Sequence, residues 1–142
     1  MTCTFFGHRL VPNEIEPALR STLIDLIENK GVTLFYVGNH GAFDSTVRRV
    51  LKEFSARYPI TYLVVLAYLP QKHDANDPTD YSDTIYPEGI ENAPKRFAIT
   101  YRNKWMIRQS DYVVTYVTNH IGSGAAQFKE LAEKQGKTVI EL

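Results

Sequence analysis

Along this chain, continuously apolar runs alternate with segments whose apolar residues recur at helical spacing. Five runs are rich in β-branched and aromatic residues: Thr2 to Phe6, Val32 to Val37, Thr61 to Tyr68, Tyr112 to Val117 and Lys137 to Leu142. The second, third and fourth hardly alternate with polar residues, as expected of parallel strands buried on both faces. Between the first two, Ile15, Leu19, Leu23, Leu26 and Ile27 keep helical spacing, with Glu14 and Glu16 at the start and Gly31 as the stop. Val47, Val50, Leu51 and Phe54 predict a second helix that ends before Pro59. Phe128, Leu131 and Ala132 predict the last helix, ending before Gly136. A third helix contains Tyr101, Trp105, Met106 and Ile107 and stops at Gln109 or Ser110; Pro94 either opens it or closes the loop before it.

Strand and helix in alternation specify an α/β domain: a Rossmann-like three-layer sandwich, with a parallel sheet of about five strands and helices on both faces. The 142 residues suit one such domain, 1–142, with no linker to divide it. Residues 69–94 break the rhythm. They carry Asp74, Asp77, Asp80, Asp83, Glu88 and Glu91 among prolines, Tyr81 and Tyr86, and so long a loop is expected either to act as a lid or dimer contact or to be a solvated excursion.

Composition narrows the class. Sixteen Lys and Arg balance sixteen Asp and Glu, which gives a nucleic-acid or membrane-surface role no support from bulk charge. No run approaches the ~18 apolar residues of a membrane span, and the N-terminus lacks the basic region of a signal peptide, so a cytoplasmic protein without membrane association is expected. The lone cysteine, Cys3, sits inside an apolar strand and reads as a buried structural thiol.

In an open parallel sheet, ligands bind beyond the carboxyl ends of the strands, where strand order reverses. Three glycine-bearing turns fall there: Gly7-His8-Arg9, Gly38-Asn39-His40-Gly41-Ala42-Phe43-Asp44, and Thr118-Asn119-His120-Ile121-Gly122-Ser123-Gly124. The last opens a helix whose first N–H groups lack internal partners, a geometry that takes phosphate or carboxylate; Ser123 either caps that helix or also donates to the anion. Arg9 and Arg102 are the cations placed to assist, because a guanidinium fork matches an oxyanion. Asp44 is either a helix cap or a contact to a ribose hydroxyl or a base amide. The turn is not the dinucleotide fingerprint, since Gln127 stands at the third glycine position, and neither a P-loop nor a nucleophile elbow is present. His8, His40 and His120 follow strands but match no compact metal-ligand spacing, so neither a metal nor a cofactor is expected.

Taken in order, Phe6-Gly7-His8-Arg9, Tyr36-Val37-Gly38 with Phe43-Asp44, Arg102-Asn103-Lys104-Trp105-Met106 before Ser110-Asp111, and the glycine turn before Ala125-Ala126 resemble the SLOG superfamily. That superfamily is named for the SMF/DprA proteins and the Lonely Guy (LOG) nucleotide hydrolases, and the chain looks most like its YpsA-like branch. The resemblance implies a nucleotide or nucleotide-derived phosphate as ligand and a homodimer as partner state. It implies nucleotide-binding roles for Gly7, His8, Arg9, Gly38, Phe43, Asp44, Arg102, Asn103, Gly122, Ser123 and Gly124. The LOG hydrolases release a base from a ribose phosphate through a P-G-G-x-G-T-x-x-E motif and an arginine on the preceding helix. Arg102 falls where that arginine would. Here Ala125 stands at the threonine position and Phe128 at the glutamate position, so the carboxylate that would stabilise an oxocarbenium-like sugar is missing and catalytic residues stay unassigned. The expectation is therefore a ligand-binding or sensor module. The alternatives are an N-glycosidic hydrolase with a displaced carboxylate, for which Asp44 or Asp83 are candidates, and a dimeric protein-interaction scaffold.

Overall fold

The computed structural model describes residues 1–68, 83–118 and 124–142. Their strands form one all-parallel sheet in the order β4-β3-β2-β1-β5-β6. These are β1 (Thr2–Gly7), β2 (Leu34–Val37), β3 (Thr61–Val65), β4 (Thr84–Ile85), β5 (Tyr112–Tyr116) and β6 (Thr138–Glu141). The helices are α1 (Ile15–Glu28), α2 (Gly41–Ser55), α3 (Ala98–Gln109) and α4 (Gly124–Lys134). The Rossmann-like three-layer sandwich expected from the alternation of elements is present. The sheet has six strands where about five were expected.

The additional strand is β4, two residues long, inside the stretch read as a loop. Val64 N–H donates to Asp83 O at 2.7 Å and Leu66 N–H to Ile85 O at 2.9 Å, so this short segment covers the outer edge of β3. Two short 3₁₀ turns, Ile90–Asn92 and Lys95–Phe97, then lead into α3. Pro94 thus lies before the second turn, closing the preceding loop rather than opening the helix. The part of the expected lid or dimer contact between residues 69 and 82 lies outside the described residues.

Apolar periodicity explains how the layers pack. Leu19, Leu23 and Leu26 of α1 and Val47, Val50 and Leu51 of α2 are fully buried in one cluster with Phe5, Phe35 and Val37. Met106 and Ile107 of α3 and Phe128 and Ala132 of α4 are buried in a second cluster with Phe6, Val65 and Val113. Successive β1 residues serve opposite clusters, Phe5 the first and Phe6 the second, as the two-residue period of a strand requires. Cys3 is fully buried, and burial pushes its thiol well above the ordinary range, so it is held as the protonated thiol. No described helix is long and apolar enough to cross a membrane.

Strand order locates the functional edge. From β1 the chain builds outward through β2, β3 and β4, then returns to place β5 against the other side of β1 and continues outward to β6. The reversal lies between β1 and β5, whose last paired residues are Gly7 and Tyr116. Beyond that pair the flanking connections diverge to opposite faces, which leaves a crevice at the carboxyl ends of the strands.

Candidate functional site

A cavity of about 350 Å³ occupies this crevice, a size that suits a small organic ligand. Gly7, His8 and Arg9 reach it from the end of β1, and His40 and Asp44 from the start of α2. Ile99, Arg102, Asn103 and Met106 reach it from α3, and Gly124, Ala125 and Phe128 from α4; Phe5 and Phe6 complete its floor. Seven of the residues expected from sequence therefore share one cavity: Gly7, His8, Arg9, Asp44, Arg102, Asn103 and Gly124. Gly122 and Ser123 lie outside the described residues, as does His120.

Arg102 organises the polar wall. Although 3% exposed, its guanidinium is supplied with acceptors: Nε donates to Asn103 Oδ1 at 3.0 Å, and Nη1 to Asn39 Oδ1 at 2.9 Å and His40 Nδ1 at 3.1 Å. Burial lowers its pKa, with Asp44 as the principal opposing charge. An arginine side chain can only donate, so the contact with Nδ1 fixes the His40 proton on Nε2. Burial, followed by Arg102, Arg9 and Arg48, depresses the His40 pKa and favours the neutral ring. No described residue accepts a hydrogen bond from Nη2, the remaining nitrogen of a side chain that lines the cavity.

Asp44 lies in the first turn of α2 and is 9% exposed. Its Oδ2 accepts the His40 N–H at 3.1 Å, so the carboxyl does cap the helix, reaching back to the residue that precedes it. The other oxygen has no hydrogen-bond partner among the described residues. Burial raises the Asp44 pKa to about 6, against the lowering effects of the His40 N–H, Arg102 and Arg48. A carboxyl that titrates close to neutrality inside a cavity can accept a ligand hydroxyl when ionised or donate to a ligand oxygen when protonated.

Two expected contacts support the site from behind without entering its lining. The Phe43 ring is buried in the larger core against Gly7, where an added Cβ would stand 2.3 Å from Phe43 Cγ. At Gly38 a Cβ would stand 2.6 Å from Asp44 Oδ2 and 3.3 Å from Arg102 Cζ. Glycine at these positions lets the two strand ends approach the ring, the carboxyl and the guanidinium.

On the β1 side, His8 Nε2 accepts the Thr118 N–H at 2.8 Å, which ties the turn after β1 to the chain leaving β5. The same ring meets Tyr116 edge-on at 6.0 Å between centroids. Arg9 is exposed. A Cβ at Gly124 would meet none of the described residues within 4 Å.

Part of the lining is apolar, and none of these residues was expected from sequence to contact the ligand. Phe6 and Phe128 stack at 5.5 Å with their planes 23° apart, and Met106 and Ile99 lie beside them in the lining. Phe128 is thus one of the residues that line the cavity. His40, which lines the cavity, and Asn39, which accepts from Arg102, were not among the expected binding residues; their signal was membership of the same glycine-bearing turn as Gly38. Ser110 and Asp111 have structural partners: Ser110 Oγ donates to Met106 O at 2.8 Å, and Asp111 Oδ2 accepts the Thr2 N–H at 3.0 Å.

Among the described residues, no group of three or more His, Cys, Asp or Glu side chains is arranged to hold a metal ion. The fold and cavity together define a Rossmann-like domain with a mixed polar and aromatic crevice at its topological switch point. No protein-family model matches the chain, and no curated protein matches it at a significant level.

Proposed function

We propose that the protein binds a nucleotide or nucleotide-derived phosphate in this cavity, as a sensor or ligand-binding module. The observation that carries the reading is the meeting of cationic and aromatic groups in one cavity at the strand-order reversal: Arg102 and Arg9, the stacked Phe6 and Phe128, and the first residues of α4. A phosphate suits the arginines and the outward N–H groups of a helix start, and a planar base suits an aromatic floor. The resemblance to the SLOG superfamily points to the same ligand class and to a homodimer.

Thermal unfolding with a panel of nucleoside mono-, di- and cyclic phosphates tests this reading. At least one should raise Tm with concentration, by the equivalent of ~2.7 kcal/mol at a hundredfold excess over Kd. Arg102→Gln and Arg9→Gln should each reduce the rise. A panel with no saturable rise for the native protein would retire the proposal.

The hydrolase reading draws on one observation, that Asp44 brings a carboxyl into the cavity although Phe128 does not. Chromatography of the same nucleotides after incubation decides it. Free base released by the native protein and not by Asp44→Asn would establish the activity, and release by neither would discard it.

A further inference from the structure

Asp44 presents an electrostatic problem to any anion that enters the cavity. It is the one carboxyl among the described lining residues, it shares the crowded space behind Gly38 with Arg102, and its Oδ2 is committed to the His40 N–H. An ionised Asp44 would face the ligand's oxyanion with a like charge in a partly water-excluded site, where such repulsion is stronger than in bulk water. A protonated Asp44 instead offers an O–H donor beside the Arg102 guanidinium, and two donors side by side match the two oxygens of a phosphate face.

We propose that the cavity takes up its anionic ligand together with one proton, held on Asp44, so that this residue serves as a neutral hydrogen-bond donor to the bound oxyanion. The inference rests on the reading of the cavity as an anion site and specifies how that site discriminates. It favours a phosphate group at the Asp44 and Arg102 end over a sugar diol, which would seek the ionised carboxylate as acceptor. The geometry that supports it is the buried side chain with one oxygen pinned by the helix start and the other without a described partner. The raised pKa, about 6, brings protonation within reach at neutral pH.

The groups that act on Asp44 and its surroundings come from every side. Arg48 lies on α2 itself, His40 immediately before it, Arg102 on α3, and His8 and Arg9 after β1. The arginines stay charged between pH 5 and 8, so they set the pKa without contributing a pH dependence of their own. Protonation of a histidine beside the anion would also strengthen binding as pH falls, so the test must separate that effect from Asp44.

Inorganic sulfate is the probe, because its charge is constant between pH 5 and 8. Its apparent affinity is read from the saturable rise in Tm at fixed ionic strength. For the native protein the apparent Kd should weaken about tenfold per pH unit between pH 6.5 and 8, the limit for uptake of one proton. In Asp44→Asn, the amide keeps an acceptor for the His40 N–H and places an N–H where the acid O–H would be. The apparent Kd at pH 8 should then lie within about threefold of its value at pH 6.5. Equal affinity across the range in the native protein would overturn the proton linkage while leaving the anion site standing. The same pH dependence in both proteins would assign the effect to the histidines and also overturn it. Absence of saturable binding in both, at every pH, would overturn the linkage and the anion reading together.

Discussion

The two walls of the cavity are built on different physics. Toward β2 and α2, Arg102, His40, Asn103 and Asp44 are held by directional hydrogen bonds, with Asn39 accepting from Arg102, and burial shifts the pKa values of Arg102, His40 and Asp44. Toward α4, Phe6 and Phe128 are held by ring packing, with Met106 and Ile107 in the same cluster. A hydrogen-bonded wall keeps fixed donors in place before a ligand arrives, and this preorganisation lowers the ordering cost of binding. An aromatic wall contributes area and excludes water but gives little orientation. Substitutions on the apolar side should therefore cost stability first, and those on the polar side should change binding and pH response first.

The largest effect should come from the apolar wall. Phe128→Ala removes a ring that is 8% exposed and stacked on Phe6, and should lower unfolding free energy by about 3 kcal/mol in urea titration. Part of that loss should return if an aromatic ligand fills the enlarged cavity. A loss below about 1 kcal/mol would mean that the ring contributes little to the core and would undo the contrast between the walls.

Next in size is the junction behind the walls. Gly7→Ala would put a methyl 2.3 Å from Phe43 Cγ, and the ring is 1% exposed with little room to retreat. Overpacking of this kind costs about 2 kcal/mol, measurable by the same titration. Unchanged stability would show that Phe43 is free to move and that the β1 turn is less constrained than its packing indicates.

A smaller effect, on the polar wall, carries a sign that separates it from ordinary ion-pair losses. The Asp44 pKa is raised from 3.8 to about 6, so the native state holds the proton more tightly than the unfolded chain. Its contribution is fully present below pH 3.8 and is lost as pH rises through about 6. Asp44→Asn cannot ionise. Relative to the native protein it should gain stability as pH rises from 3.8 through about 6. A difference that stayed flat from pH 4 to 8 would show that the carboxyl titrates at its ordinary value.

Arg9 should give the smallest stability effect. It is exposed, so Arg9→Gln should alter unfolding free energy by less than about 0.5 kcal/mol while weakening anion binding in the thermal-shift assay. Substantial unfolding in this variant would reassign Arg9 from ligand contact to structural support.

The contrast between the walls also explains what the sequence disclosed. Continuous apolar runs made β2, β3 and β5 legible because strands buried on both faces leave little room for polar residues. Thr84–Ile85 escaped notice because two residues beside a polar stretch carry no periodic signal, and their strand character comes from the exposed edge of β3. The first turn of α2 was hidden by Gly41, which resembles turn punctuation yet begins the helix. In α3, Arg102 and Asn103 face inward, against the usual reading of polar residues as solvent-facing. The turns after β1 and β2 could be placed at the site because strand topology alone sends them there. The Phe6 and Phe128 pair could not, since an apolar residue in a buried strand or at helical spacing reads as core until the gap beside it is seen.

Backbone amide chemical shifts during titration with the nucleotide that most raises Tm, or with inorganic sulfate if none does, test the location of the site directly. The largest changes are predicted at Gly7, His8, Arg9, His40, Gly124 and Ala125, which line the cavity. Saturable changes confined to the groove on the far side of α2, around Arg48, Lys52 and Tyr62, with the crevice amides unmoved, would contradict it.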